Sequence, residues 1–296
     1  MIILGAGISG LLAGCVFQRA TLYEAGPEAQ AQHKALLRFR SSAVGDAVGI
    51  DFRRVNVKKG IWHDGAFVAP TIQLANWYAL KVIGKLADRS IWDIEPCERY
   101  VAPDDFIGQL VERCSGRINW STPVGAQDIK SFCAPIISTI PLPAMLAMAL
   151  PHLHVVDFNY DGISVVRWLV SGADVHQTIY FPSPATRLYR ASITGNTLIA
   201  EYRGQPDDYD LFTPFGILPS DCDKLESTSQ RYGKIAPIND AIRKQLIWRL
   251  TNDHNVFSLG RFATWRNILL DDVLRDISVL KKLMAASHYD RSRANA

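Results

Sequence analysis

Three glycines and one acid carry the most specific chemistry in this chain. Met1-Ile2-Ile3-Leu4 runs straight into Gly5-Ala6-Gly7-Ile8-Ser9-Gly10, and Glu24 follows 19 residues after Gly5. In such a GxGxxG turn, Gly5 permits the tight bend, Gly7 lets the backbone approach a pyrophosphate, and Gly10 lets the next helix pack closely on its strand. An anion then rests on the amide end of that helix, where Ser9 offers a hydroxyl as cap or phosphate contact. The Glu24 carboxylate is placed to accept hydrogen bonds from ribose hydroxyls. Glycine spacing alone would also suit a structural turn in an ordinary α/β protein, so the context decides. Leu11, Leu12, Ala13, Gly14 and Val16 continue as a helix, and Thr21-Leu22-Tyr23 reads as a second strand. A strand, turn, helix and strand ending in an acid describe a dinucleotide-binding unit.

The remaining composition narrows the setting. The chain has 296 residues, 48% hydrophobic and 21% charged, which is the balance of a globular protein with a substantial core. A formal charge of +3 is too small to argue for nucleic acid, although basic residues gather at Arg38/Arg40, at Arg53/Arg54/Lys58/Lys59 and at Arg291/Arg293. Cys15, Cys97, Cys114, Cys133 and Cys222 are odd in number and far apart, without CxxC. That pattern suits reduced, packed thiols in a cytoplasmic protein. A nucleotide strand starting at Met1 leaves no place for a signal peptide, and no apolar run of about 18 residues is present to span a bilayer. No metal site is expected. His152 and His154 lack a third ligand, and Asp207-Asp208-Tyr209-Asp210 lacks the spacing of a calcium loop.

Along the chain, Thr71 to Ala87 carries apolar residues at helical spacing and Asp104-Asp105 opens another helix, together suggesting a small helical cap. Ala134-Pro135-Ile136-Ile137-Ser138-Thr139-Ile140-Pro141 reads as a buried strand followed by a Pro-ended turn, where the chain returns to the nucleotide domain. Strands at Ile163–Leu169, Gln177–Phe181, Thr186–Ile193 and Thr197–Arg203, separated by turn residues, predict an antiparallel sheet flooring a substrate site. Near the end, Val256 to Trp265 reads as a strand followed by Gly260-Arg261, and a helix runs from about Leu269 to Ala285. There Arg261 is placed to pair with a phosphate.

On these segments the chain resembles the FAD-binding superfamily of amine oxidases, phytoene desaturases and UDP-galactopyranose mutases. The local match is strongest to the mutases, through Gly260, Arg261, Trp265 and Asp271-Asp272-Val273, with Pro237-Ile238-Asn239-Asp240 and Ala185-Thr186-Arg187 further upstream. The resemblance implies an α/β fold: a Rossmann-like FAD-binding domain from residues 1–70, 115–150 and 235–296, with an inserted antiparallel-sheet substrate domain and small helical cap from 71–114 and 151–234. It implies that Gly5, Gly7, Ser9, Gly10 and Glu24 hold the ADP half of FAD. Gly260 and Arg261 would approach the pyrophosphate or isoalloxazine, and Arg38 and Arg40 are candidate cofactor contacts from the basic cluster. Where the mutases have a His-Lys-Tyr-Gly-Pro-His loop by the flavin, this chain has His33-Lys34-Ala35-Leu36-Leu37-Arg38. The loop on the reactive face is therefore rebuilt, and the compact length leaves little room to grip a nucleotide sugar.

The candidate catalytic residues are Arg187 in the sheet, Trp265 and Lys34. Arg187 and Arg190 lie on one predicted strand and would point to opposite faces unless a bulge intervenes. The expected activity is that of an FAD-dependent oxidoreductase of amine-oxidase type, acting on a small amine or on an amino-acid-modified thymine base in phage DNA. C–N oxidation by flavin needs alignment more than acid-base groups. The alternatives are a redox-neutral mutase-like enzyme using reduced flavin and a non-catalytic flavoprotein subunit.

Overall fold

The computed structural model describes residues 1–28, 37–87, 90–153 and 156–294. Its strands are β1 (Ile2–Leu4), β2 (Thr21–Tyr23), β3 (Arg53–His63), β4 (Ala66–Val68), β5 (Cys97–Val101), β6 (Ile118–Asn119), β7 (Ile136–Ser138), β8 (Tyr160–Val170), β9 (Val175–Tyr180), β10 (Leu188–Gly195), β11 (Thr197–Arg203), β12 (Cys222–Ile235) and β13 (Val256–Ser258). Its helices are α1 (Ile8–Val16), α2 (Ala43–Val48), α3 (Ile72–Ile83), α4 (Phe106–Arg113), α5 (Ala126–Ser131), α6 (Leu142–Ala149), α7 (Asp240–His254) and α8 (Leu270–Ala294).

Two sheets divide the strands. The first is five-stranded and parallel, in the order β13-β7-β1-β2-β6. Its short strands are apolar on both faces, as a sheet covered on both sides requires. Ile3, Leu22, Ile137 and Phe257 point into a core shared with α1, α4 and α8. Ile2, Leu4, Ile136 and Val256 point to the other face, against α6 and α7. At the end of α1 the orphan carbonyls left by the helix are collected by Arg117, whose Nη1 donates to Gly14, Phe17 and Ala20.

The second sheet has eight strands, running β12-β8-β11-β10-β9-β3-β4 with β5 paired to β3. All its pairs are antiparallel except β3 with β9. β8 to β11 lie where the alternation and turn residues predict them. The fold is thus mixed α/β, with a parallel sheet and a separate, mostly antiparallel one.

Two expectations need correction. Residues 53–68, placed by sequence in the nucleotide half, form β3 and β4 of the second sheet, because Lys58 to Ile61 pair with Gln177 to Tyr180. The cap expected from 71–114 is divided between the two sheets. α3 packs on the second sheet through Leu74, Tyr78 and Val82, whereas α4 buries Phe106 and Leu110 against the core of the first. Thr71 starts α3 by accepting from the Leu74 amide at 3.2 Å, a capping bond that fixes the helix start.

Candidate functional site

The turn between β1 and α1 is shaped by three glycines under different constraints. Gly5 has φ +94°, and a Cβ there would lie 2.4 Å from the Thr139 hydroxyl. A Cβ on Gly10 would lie 1.9 Å from the Gly5 carbonyl, so the first turn of α1 sits directly on the bend. Gly7 differs: it is exposed, has an ordinary φ of −67°, and among the described residues nothing comes within 4 Å of the Cβ it lacks. It is the N-cap of α1, without a side-chain cap bond among the described residues and with no acid in the first turn. The open space over Gly7 therefore lies at the positive, N-terminal end of α1, the arrangement that receives a phosphate.

Other sequence-selected residues converge here. Gly260, φ +90°, would place a Cβ 2.6 Å from the Ser9 hydroxyl, so the turn after β13 closes onto the turn after β1. Thr264 holds that turn by donating its amide and hydroxyl to the Gly260 carbonyl, at 3.0 and 2.7 Å. Glu24 stands at the end of β2 and accepts from the amides of Ala6 and Gly26 at 2.7 and 2.9 Å. An ionised carboxylate has about four acceptor positions, so these two bonds orient it and leave acceptor capacity for hydroxyls. Arg261 leads away from the turn, its Nη2 donating to the Gly233 carbonyl of β12 at 3.0 Å and to Asn267 at 3.3 Å.

Four of the selected residues lie elsewhere or do other work. Arg38 is built into the second sheet, donating to the hydroxyls of Thr178 and Thr194 and to the carbonyls of Gln177 and Ile193. Burial, with the nearby charge of Arg190, pulls its pKa down to about 10. Its guanidinium is committed to strands β9 and β10. Arg40 is tied to the start of α8 by an ion pair with Asp272 at 2.6 Å and a backbone bond to Asp271. Trp265 is only 1% exposed, donates its indole N–H to the Ala236 carbonyl at 2.9 Å, and packs against Phe158 and Tyr232. A ring so enclosed cannot line a substrate site. Arg187 precedes β10 and is exposed. Its turn is held by Asp207, which accepts from the Arg187 amide and the Thr186 hydroxyl. Lys34 lies outside the described residues.

The sheet does carry a polar face, where Arg190 and Tyr189 meet Glu201 and Lys234, two residues that sequence reasoning passed over. The pairing of β10 with β11 slips between Leu188 and Arg190, a bulge at Tyr189 that brings neighbouring side chains toward one side. Arg190 pairs with Glu201 directly across the strands, with Nη2 to Oε1 at 2.8 Å. Burial would raise the Glu201 pKa, but the charge and hydrogen bonds of Arg190, with Lys234 behind them, hold the carboxyl below its ordinary value. The Lys234 ammonium lies 4.4 Å from the centre of the Tyr189 ring, a cation–π contact. Burial, then the Glu201 charge, keep the Tyr189 phenol well above its ordinary pKa and hence protonated. From Ser9 the contacts run through Gly260 and Arg261 to Gly233, and from its neighbour Lys234 to Tyr189 and Glu201. The signal available in the sequence was Glu201 within Thr197-Leu198-Ile199-Ala200-Glu201-Tyr202, an acid in an apolar strand that demands a buried partner.

Lys81 was also unforeseen. It is 9% exposed and donates to the carbonyls of Phe181, Ser183 and Leu188 at 2.6 to 2.8 Å, clasping the turn that leads into β10. Burial pulls its pKa down to about 7, partly opposed by Asp207. Among the described residues no group of His, Cys, Asp and Glu could hold a metal ion, and no helix is long and apolar enough to cross a membrane.

No protein-family model matches the chain, and no curated protein matches it in sequence. Solved structures do match in fold. A reduced UDP-galactopyranose mutase superposes with a TM-score of 0.62 at 14% identity, over 90% of this chain and 89% of that one. A Pyrococcus furiosus protein gives 0.59 at 11% identity, and a fatty acid isomerase from P. acnes that produces CLA gives 0.58 at 12%. Each of these two covers 95% of this chain and 97% of its own. At such identities the likeness is one of fold.

Proposed function

We propose that this chain is an FAD-dependent oxidoreductase of amine-oxidase type, oxidising a C–N bond. The observation that carries the reading is the open space over Gly7 at the amide end of α1, with Gly260 closing over Ser9 beside it and Glu24 oriented at the end of β2. These residues fit the ADP half of a dinucleotide, and the resemblance of the Gly260-Arg261 segment argues for FAD. When bound, flavin supplies a hydride acceptor.

The chain's own residues supply position and a fixed charge pattern. Gly5 and Gly10 hold the amides of α1 toward the phosphates, and Arg261 ties this turn to β12. Tyr189, as enclosed as Trp265, stays protonated, and Glu201, held ionised by Arg190, is a weak base. With neither group poised to take a proton, this face suits hydride transfer better than proton abstraction. A redox-neutral, mutase-like reading is favoured by one observation, the superposition on a mutase over nearly its whole length.

A DNA-borne substrate has weaker support, since basic residues once counted toward it are engaged with acids. Arg53 pairs with Asp174, Arg54 with Glu98, and Lys59 with Asp93.

The test is the visible spectrum of the purified protein under anaerobic conditions, with a panel of amines, amino-acid-modified nucleosides and DNA added in turn. Bleaching of a bound flavin band by an amine supports oxidation. A band unchanged by all of them, with turnover of a sugar nucleotide after pre-reduction, replaces the first reading with the mutase one. A band inert in both settings makes the chain a non-catalytic flavoprotein, and a protein without flavin after reconstitution overturns the cofactor.

A further inference from the structure

We propose that Cys15 and Cys114 form a dithiol that peroxide oxidises to a disulfide, pinning α1 to the end of α4. The two sulfurs lie 3.9 Å apart although 99 residues separate them in sequence. The approach is built in. A Cβ on Gly14 would come within 2.8 Å of the Cys114 sulfur, so a glycine beside Cys15 is what lets α4 come this close. Each sulfur also faces a carbonyl of the opposite helix, Cys114 that of Leu11 at 3.6 Å and Cys15 that of Leu110 at 4.0 Å. Both residues sit at helix ends, Cys15 in the last turn of α1 and Cys114 as the C-cap of α4, where side chains rotate without breaking a helix interior. A disulfide needs about 2.05 Å between sulfurs, so bond formation requires the two side chains to rotate toward each other from 3.9 Å.

Access and reactivity differ between the two. Cys114 is 0% exposed, whereas Cys15 is half-buried and lines a cavity of about 410 Å³ with Gln18, Ala47, Val48, Arg113 and Arg117. The Cys15 S–H and the charge of Arg117 favour a thiolate on Cys114, while the hydrogen bond and burial hold the Cys15 proton on. Either sulfur can be the donor in this contact, and transfer of the proton from Cys15 to Cys114 places the reacting thiolate on the sulfur that lines the cavity. The Cys15 thiolate attacks one peroxide oxygen, breaking the O–O bond. This gives a sulfenic acid on Cys15 and hydroxide, which takes up a proton to become water. The Cys114 thiol then attacks the Cys15 sulfur, forming the S–S bond and expelling a second water. Overall, two thiols are oxidised by two electrons and one peroxide is reduced to two waters. This requires no flavin, so its test is independent of the function proposed above.

The full chain is treated with one equivalent of hydrogen peroxide, alkylated, digested and mapped by mass spectrometry, with thermal unfolding measured in parallel. The expected result is a cross-linked peptide joining Cys15 to Cys114, lighter by about 2 Da than the two reduced peptides together. The unfolding midpoint should rise, and dithiothreitol should reverse both changes. Cys15→Ala removes the cross-link and the rise, and Cys133→Ala, at an exposed cysteine, keeps both. The proposal is overturned if Cys15 and Cys114 remain alkylatable after exposed Cys133 has been oxidised, or if Cys15 proceeds to sulfinic acid without forming the cross-link. Neither outcome depends on a variant folding.

Discussion

Gly5, Gly7 and Gly10 shape the parallel-sheet half of this molecule by omitting atoms, whereas Arg38, Lys81 and Arg190 shape the antiparallel-sheet half by filling it with charge. In the first region the backbone turn is bare, and a Cβ on Gly5 or Gly10 would clash while one on Gly7 would enter open space. In the second, guanidinium and ammonium groups are buried on carbonyls and a carboxylate, and each must be matched or its burial is uncompensated. The difference teaches where each half is vulnerable. The parallel-sheet half tolerates few additions, and the antiparallel-sheet half tolerates few subtractions.

The strongest challenge to that contrast is at Gly10. Gly10→Ala places a methyl 1.9 Å from a carbonyl oxygen and should destabilise the fold by about 3 kcal/mol or more, read by urea unfolding. Gly7→Ala adds the same methyl to open space. It should leave stability within about 1 kcal/mol yet release the bound flavin absorbance. If Gly7→Ala keeps stoichiometric flavin, the phosphate assignment fails.

Next in size is a subtraction. Glu201→Gln strands Arg190 in the sheet and should lower stability by about 2–4 kcal/mol. The double variant Arg190→Met/Glu201→Leu should recover most of the loss. Equal losses in single and double variants would show that the pair is not a unit.

Lys81 adds a pH dependence of defined sign. Its pKa is pulled down to about 7 in the folded chain, against 10.5 for an exposed lysine. The unfolded chain therefore binds more protons between these values, and stability should rise as pH increases from 7 to 10.5 and stay level below 7. Urea midpoints at pH 7 and pH 9.5 test this. Lys81→Met should lose that part of the rise, and an unchanged slope would show that Lys81 does not titrate in this window.

The smallest effect is expected at Arg40, exposed and paired with Asp272. Arg40→Ala should change stability by about 1 kcal/mol or less and leave flavin content unaltered. Loss of flavin there would restore Arg40 to the cofactor site.

The same contrast explains what could be read in advance. The β1-α1-β2 unit is local: Gly5 to Glu24 spans one supersecondary element, and each glycine's role follows from spacing. The strands from β8 to β11 were legible because apolar residues and turn residues alternate along them. The sheet face was not, because its partners meet across the chain. Arg38 finds Thr194, 156 residues on, and Lys81 finds Leu188, 107 residues on. Nor does spacing reveal a bulge, so the pairing of Arg190 rather than Arg187 became visible only with the register of β10 on β11. Trp265 misled for a related reason. Its place after Gly260-Arg261 matched a family pattern, while its burial is decided by Phe158, Tyr232 and Ala236 from other segments.

Residues 38–40 have a mechanical consequence. Arg38 is anchored in β9 and β10, Phe39 lies in the core beneath α1, and Arg40 is fastened to the start of α8. Three consecutive residues thus grip both sheets at once, with no slack between the anchors. A hinge motion that swung one sheet from the other would have to break this strap. The spacing of the two sheets at this strap is therefore set by the chain itself, before any ligand arrives.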